Sequence, residues 1–193
     1  MTSRLADVYA IVDADLSAEP LVLGRRAVAA GCGIVQLRAK HLDDRSSTEL
    51  AAELRALCKK AGAAFVMNDR ADIARIVKAD GLHLGQDDLS IGDARKVVGD
   101  MRIGVSTHDF EQAARAESEG ADLIAFGPVF ETKSKQNPDP VVGVASLAEV
   151  CRRVSRPVVA IGGITPQNAR ETFDAGARYI AVISALPSFL SDR

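Results

Sequence analysis

Short apolar runs and longer amphipathic ones alternate along this chain in one repeated rhythm. Residues 8–12 (Val-Tyr-Ala-Ile-Val), rich in β-branched and aromatic side chains and closed by Asp13, predict a strand. From Pro20 to Ala30 the apolar positions take helical spacing, Gly31-Cys32-Gly33 stops it, and Ile34 to Arg38 resumes a strand. Asp44 opens an Ala- and Leu-rich helix that runs through Lys60 and is ended by Gly62. Further apolar runs at 63–67, 81–84, 101–105, 122–126, 157–161 and 179–183 predict strands three to eight. Helical stretches separate them near 72–77, at 91–98, at 109–119 with Asp109 as N-cap, near 146–153, and from Pro166 to Gly176. Pro166 falls at the first helical position of its stretch, where a missing N–H costs nothing. The longest irregular segment, 127–143, carries Pro128, Pro138 and Pro140.

Eight strand-like runs, each leading into a helix with no composition break for a linker, predict a single domain over residues 1–193. Strands that are apolar throughout imply a parallel sheet covered on both faces. Closure into a (β/α)8 TIM barrel is the expected α/β architecture, with an open doubly wound sheet as the rival. A recurring small-residue phrase before strands (Ala30-Gly31, Ala61-Gly62, Gly120-Ala121, Gly176-Ala177) fits near-equivalent barrel units. Only residues 186–193 follow Ile183-Ser184-Ala185, so the last helix is expected to be short or missing.

Composition narrows the function classes. Net charge is −2, and aromatic residues make up 4% with no Trp, which argues against a nucleic-acid partner. An anionic ligand must then be held by local cations. Cys32, Cys58 and Cys151 are odd in number and widely spaced, so neither a disulfide framework nor a cysteine zinc site is expected. No charged-then-apolar leader pattern opens the chain and no apolar run is long enough to span a bilayer, so a soluble, cytoplasmic protein is expected.

In a barrel, chemistry gathers at the C-terminal strand ends. The third run ends abruptly in Asn68-Asp69-Arg70, and the fourth in His83-Leu84-Gly85-Gln86-Asp87-Asp88. Alone, Asn68 and Asp69 read more simply as a turn with a helix N-cap. With Asp88 on the next strand, they become two carboxylate-bearing rims able to share one divalent cation. Gln36, Arg38 and Lys40 alternate and so point the same way. Ser106-Thr107-His108 end the fifth strand, and Thr132-Lys133-Ser134-Lys135 sit in the long loop. That quartet suits an anion clamp or plain polar surface. Gly162-Gly163 suits a tight turn or backbone N–H groups offered to a phosphate, where barrels often bind one. Ile183-Ser184 close the eighth strand. His83, flanked by leucines, reads as an interior histidine, His108 as the one facing substrate, and His41 as surface. No Ser-His-Asp order, HExxH or GxGxxG stands out, so hydrolase and dinucleotide readings lack support.

Together these rims offer two anion sites and one cation site at one mouth. Arg38, Lys40 and Lys135 with a divalent ion match a diphosphate. Asp69 and Asp88 are the acids left to carry Mg²⁺, which takes one or two carboxylates and completes its shell from water and substrate phosphate. The Gly163 and Ser184 loops suit a phosphomonoester. The expected chemistry is loss of diphosphate from one substrate and transfer of the remnant to a phosphorylated acceptor.

A series of motifs in chain order resembles the thiamine phosphate synthase family. It runs Gln36-Leu37-Arg38-Ala39-Lys40, Asn68-Asp69-Arg70, His83 to Asp88, Gly104-Val105-Ser106, Gly127-Pro128-Val129-Phe130, Thr132 to Lys135, Ile161-Gly162-Gly163-Ile164 and Ile183-Ser184-Ala185. The resemblance implies a Mg²⁺-dependent transferase of thiamine biosynthesis with small-molecule substrates. Such an enzyme joins hydroxymethylpyrimidine diphosphate to hydroxyethylthiazole phosphate, or its carboxylated form, and releases diphosphate. By position, the resemblance assigns Gln36, Leu37, Arg38, Ala39, Lys40, Asn68, Ser106 and Lys135 to the pyrimidine diphosphate, with Arg38, Ser106 and Lys135 as the catalytic set. It assigns Asp69 and Asp88 to Mg²⁺, and Thr132, Lys133, Ser134, Gly163, Ile183 and Ser184 to the thiazole phosphate. In the family the diphosphate is thought to leave first, giving a pyrimidine methyl cation that the thiazole nitrogen attacks. Charge stabilisation of the leaving group then matters more than a protein nucleophile.

Glu131 stands where the family usually has Pro, Ser134 where it usually has Thr, and the short tail departs as well. Two rival readings share the barrel. A thiazole tautomerase paralogue uses a His near the Ser106-Thr107-His108 position but tends to lose the QLRxK and NDR motifs. A non-catalytic regulator that binds a thiamine precursor does not need the Asp69–Asp88 pair. Whether the chain forms a homo-oligomer is left open by the sequence.

Overall fold

In the computed structural model, which describes residues 5–132 and 139–191, the first half runs β1 (Val8–Asp13), α1 (Pro20–Ala30), β2 (Ile34–Arg38), α2 (Asp44–Ala61), β3 (Ala64–Asn68), α3 (Ala71–Val77), β4 (Gly81–Leu84) and α4 (Ile91–Val98). The second half runs β5 (Arg102–Thr107), α5 (Phe110–Ser118), β6 (Leu123–Phe126), α6 (Gly143–Arg153), β7 (Val158–Ile161), α7 (Ala169–Asp174), β8 (Tyr179–Val182) and α8 (Leu186–Leu190). The strands pair in parallel in sequence order, and β1 meets β8 with Tyr9 opposite Ala181, so the sheet closes. The architecture is the expected (β/α)8 barrel, and the eighth helix is short.

Strand alternation sorts the apolar residues into two layers. Tyr9, Ile11, Ala125, Val159 and Ala181 form the barrel interior with Ile34, Val66, Leu123, Ile161, Tyr179 and Ile183. The intervening residues, among them Val8, Ala10, Val12, Val35, Leu37, Phe65 and Met67, pack into the helix-facing core. Each fully buried Leu, Ile or Phe of that layer stabilises the fold by about 1.5–3 kcal/mol. Helix starts carry side-chain caps: Asp43 accepts the Ser46 N–H, Ser90 that of Asp93, and Asp109 that of Gln112.

Two helix starts differ from the sequence expectation. The helix expected near 146 begins at Gly143. The helix expected to begin at Pro166 begins at Ala169. The Thr165 carbonyl accepts from both the Asn168 and Ala169 N–H groups, so residues 165–168 form a turn and Pro166 lies before the helix.

At the N-terminal rim one motif occurs twice. Asp80, before β4, accepts the Phe65 N–H of β3 at 2.8 Å and pairs with Arg55 of α2 at 3.0 Å. Asp122, before β6, accepts the Ile103 N–H of β5 at 2.9 Å and pairs with Arg95 of α4 at 2.7 Å. Each carboxylate ties a helix to two strands on the face away from the mouth.

Candidate active site

The polar strand ends converge at the C-terminal mouth. On β2, Gln36 and Arg38 point inward in succession, and Lys40 follows in the loop after the strand. The Gln36 amide donates to the buried Tyr9 hydroxyl at 2.8 Å, below the mouth. Arg38 lies opposite Asp13 in the β1–β2 register and donates to its carboxylate at 2.6 Å. Lys40 Nζ reaches Asp69 Oδ2 at 3.2 Å. Leu37 and Ala39 alternate with these: Leu37 is buried in the helix-facing core and half-buried Ala39 packs against it.

Asn68 ends β3 as a buried polar residue, and Asp69 follows with φ of 60°. Asn and Asp tolerate this left-handed region better than most residues. Asp88 sits in the loop after β4, where its carboxylate accepts the Gly85 N–H at 2.7 Å. Burial first, and then the facing Asp88 carboxylate, push the Asp69 carboxyl up to about 6, with Lys40 opposing. Two facing carboxylates beside one ammonium fit Mg²⁺, which takes one or two carboxylates and leaves the rest of its shell to water and phosphate. Arg70 turns aside: it is fixed by Asp44 at 2.7 Å and Asp72 at 2.6 Å and braces the rim.

His83 lies in the interior and its Nε2 is 2.8 Å from Ser106 Oγ, while Gln86 donates to the Ser106 carbonyl at 2.6 Å. Ser106, near the end of β5, is thus held by two contacts and lines a cleft of about 710 Å³. The cleft is also lined by His108, Thr132, Gly163, Ile183 and Ser184. His108 spans the two stems of the long loop: its Nδ1 is 2.6 Å from the Gly127 carbonyl, and its Nε2 is 3.4 Å from Asp139. His41 is on the surface, 83% exposed. Gly162 and Gly163 have φ of 96° and 64°. A Cβ at Gly163 would come within 2.3 Å of the Glu131 carbonyl oxygen, so both conformation and close approach require glycine there. Lys133, Ser134 and Lys135 lie outside the described residues.

This mouth has counterparts. The thiamine monophosphate synthase family profile matches residues 8–186. The chain belongs to that family. The thiamine-phosphate synthase of Methanocella arvoryzae is 48% identical over 186 residues, covering 94% of this chain and 87% of the relative. That of Koribacter versatilis is 46% identical over 191 residues, covering 95% and 90%. Among solved structures, the thiamine phosphate pyrophosphorylase from Pyrococcus furiosus superposes with a TM-score of 0.86 at 37% identity, covering 94% of this chain and 87% of that one.

Against the family frame, two polar residues were not singled out by sequence. Asp13 is legible only when the ends of strands one and two are set side by side, where an acid faces Arg38. Asn168 carries no sequence signal of its own, because Asn before a helix reads as an ordinary cap. The Glu131 departure is exposed at the cleft edge, and its backbone carbonyl lies against Gly163.

Proposed function

We propose that this chain is a thiamine-phosphate synthase. It joins the pyrimidine methyl group of hydroxymethylpyrimidine diphosphate to the ring nitrogen of hydroxyethylthiazole phosphate. The observation that carries the reading is the convergence of Asp69, Asp88 and Lys40 at the barrel end into which Ser106, Gly163 and Ser184 also open. In this reading Arg38 and Lys40 bind the diphosphate, together with Lys135, and Ser106 orients it. Gln36 and Asn68 hold the pyrimidine, and Thr132, Lys133, Ser134, Gly163, Ile183 and Ser184 hold the thiazole phosphate.

Asp69 and Asp88 hold Mg²⁺, which supplies positive charge against the departing diphosphate. As the C–O bond to the pyrimidine methylene breaks, its electron pair leaves with the diphosphate. The cations of β2 and its loop neutralise that charge in a site already organised to receive it. The thiazole nitrogen lone pair then forms the new C–N bond. No proton need be taken by the protein, and proximity of the two bound substrates contributes the remaining advantage.

Small-molecule substrates, no nucleic acid, no membrane and a cytoplasmic location accompany this reading. Among the described residues no helix is long and apolar enough to cross a membrane. The deciding experiment incubates the purified protein with Mg²⁺ and both substrates and follows thiamine phosphate and diphosphate release. Tautomerisation of the thiazole acid without coupled product would replace this reading with the paralogue one.

A further inference from the structure

We propose that Asn168 is the positioning residue of the phosphate loop and that it sets the preference for a phosphorylated over an unphosphorylated acceptor. The proposal rests on the reading of Gly163 as a phosphate-binding position. Asn168 stands immediately before α7, where an Asn ordinarily caps its own helix. It makes no side-chain cap there. Its amide is turned back instead: Nδ2 donates to the Gly163 carbonyl at 3.0 Å, and Oδ1 accepts the Thr165 N–H at 2.8 Å. One side chain therefore bridges both ends of the Gly163-Ile164-Thr165 stretch.

The opposite side of the loop is equally constrained. The Gly162 carbonyl accepts the Phe130 N–H at 3.1 Å, and a Cβ at Gly163 would lie 2.8 Å from that of Phe130. Gly162 and Gly163 sit in the left-handed region, where glycine has ready alternative conformations, so the loop needs an external constraint to hold one of them. In a planar trans peptide the carbonyl and the following N–H point in opposite directions. Holding the Gly163 carbonyl towards Asn168 thus turns the Ile164 N–H away from it. Gly162, Gly163, Ile164 and Thr165 line the cleft with Ser184, whereas Asn168 does not, so Asn168 acts through the loop and not by touching the ligand.

The test is steady-state kinetics of Asn168→Ala and Asn168→Asp with thiazole phosphate and its dephosphorylated alcohol as alternative acceptors. With the loop released from both side-chain bonds, the KM of the Ala variant for thiazole phosphate is expected to rise about tenfold. The kcat/KM for the alcohol and the KM for pyrimidine diphosphate are expected to stay within about twofold, as for sites that do not couple. Asp keeps the bond from Thr165 but cannot donate to the Gly163 carbonyl and adds charge beside the phosphate, so it loses more on that acceptor alone. Being nearly isosteric, it carries the same comparison if the Ala variant does not fold. Equal losses on both acceptors, or an unchanged preference in the variants, overturn the proposal. A wild-type protein without any preference for the phosphate would overturn the loop assignment itself, before a variant is made.

Discussion

Lys40 Nζ lies 3.2 Å from Asp69 Oδ2, joining the loops that follow the neighbouring strands β2 and β3 at the barrel mouth. The cation assigned to the diphosphate and the carboxylate assigned to the metal therefore neutralise one another in the free protein. In the proposed reading, a bound metal–diphosphate pair would draw Lys40 to the diphosphate and Asp69 to the metal, replacing this contact. Lys40→Met removes the ammonium while keeping the length of the side chain. The expected result is a drop of about 10- to 100-fold in kcat/KM for pyrimidine diphosphate, the range for losing a charge-assisted bond of about 1.5–3 kcal/mol. The KM for thiazole phosphate stays put. A variant with normal pyrimidine kinetics would show that Lys40 serves only to brace the rim.

Asp69 cannot be tested cleanly by alanine. Its φ of 60° places it where Asn and Asp are tolerated and Ala is strained by about 1 kcal/mol or more. Asp69→Asn keeps the backbone and removes the charge, and Asp88→Asn does the same across the gap. Each is expected to lower kcat by on the order of 100-fold or more at limiting Mg²⁺, as befits several kcal/mol of charge stabilisation. Partial recovery at high Mg²⁺ is expected, with the folded far-UV signature intact. Near-normal turnover of either variant at limiting Mg²⁺ would remove the pair from the metal site.

The same pair makes stability depend on pH. Burial and the Asp88 charge hold the Asp69 carboxyl up at about 6, above the ordinary carboxylate value of about 3.9 in an unfolded chain. A group that binds its proton more tightly when folded stabilises the fold at low pH, and that contribution is lost as pH rises through about 6. In chelator, the melting temperature of the wild type relative to Asp69→Asn should therefore fall between about pH 4 and pH 7. Mg²⁺ added at neutral pH should restore it, because a ligand of the folded state stabilises by mass action. A flat difference across the window would mean that neither burial nor Asp88 raises the Asp69 carboxyl in the folded protein.

The barrel was legible because its strands are short, apolar on both faces and punctuated by glycine, a pattern few other folds require. The Asp69–Asp88 pairing was legible for the same reason: once strands three and four are neighbours, acids at their ends must meet. What sequence order hid were contacts made by register and by reversal. The Asp13–Arg38 pair depends on which residues of β1 and β2 lie opposite, a property of the closed sheet. Asn168 carries the composition of a helix cap, and only its side-chain direction shows that it serves the loop behind it. Leu37 sits inside a binding motif, yet strand alternation sends its side chain to the helices.

The N-terminal face offers a contrasting prediction. Asp122 receives the Ile103 N–H at 2.9 Å and the Arg95 guanidinium at 2.7 Å, far along the strands from the mouth. In barrels that face supports stability while the other face carries chemistry. Asp122→Ala leaves the Ile103 N–H without its acceptor and takes one of several acceptors from the Arg95 guanidinium, a loss of about 1–3 kcal/mol. Urea unfolding should show the midpoint fall with the slope unchanged, since little additional surface is exposed. The kcat and both KM values should match the wild type at a temperature where the variant stays folded. Arg95→Met should destabilise as well, because its guanidinium also donates to the Gly99, Met101 and Gly120 carbonyls, and the double variant should fall short of the sum because the two share one contact. Additive losses, or a change in kcat, would mean that this carboxylate does not act as a local staple between α4 and the β5–β6 pair.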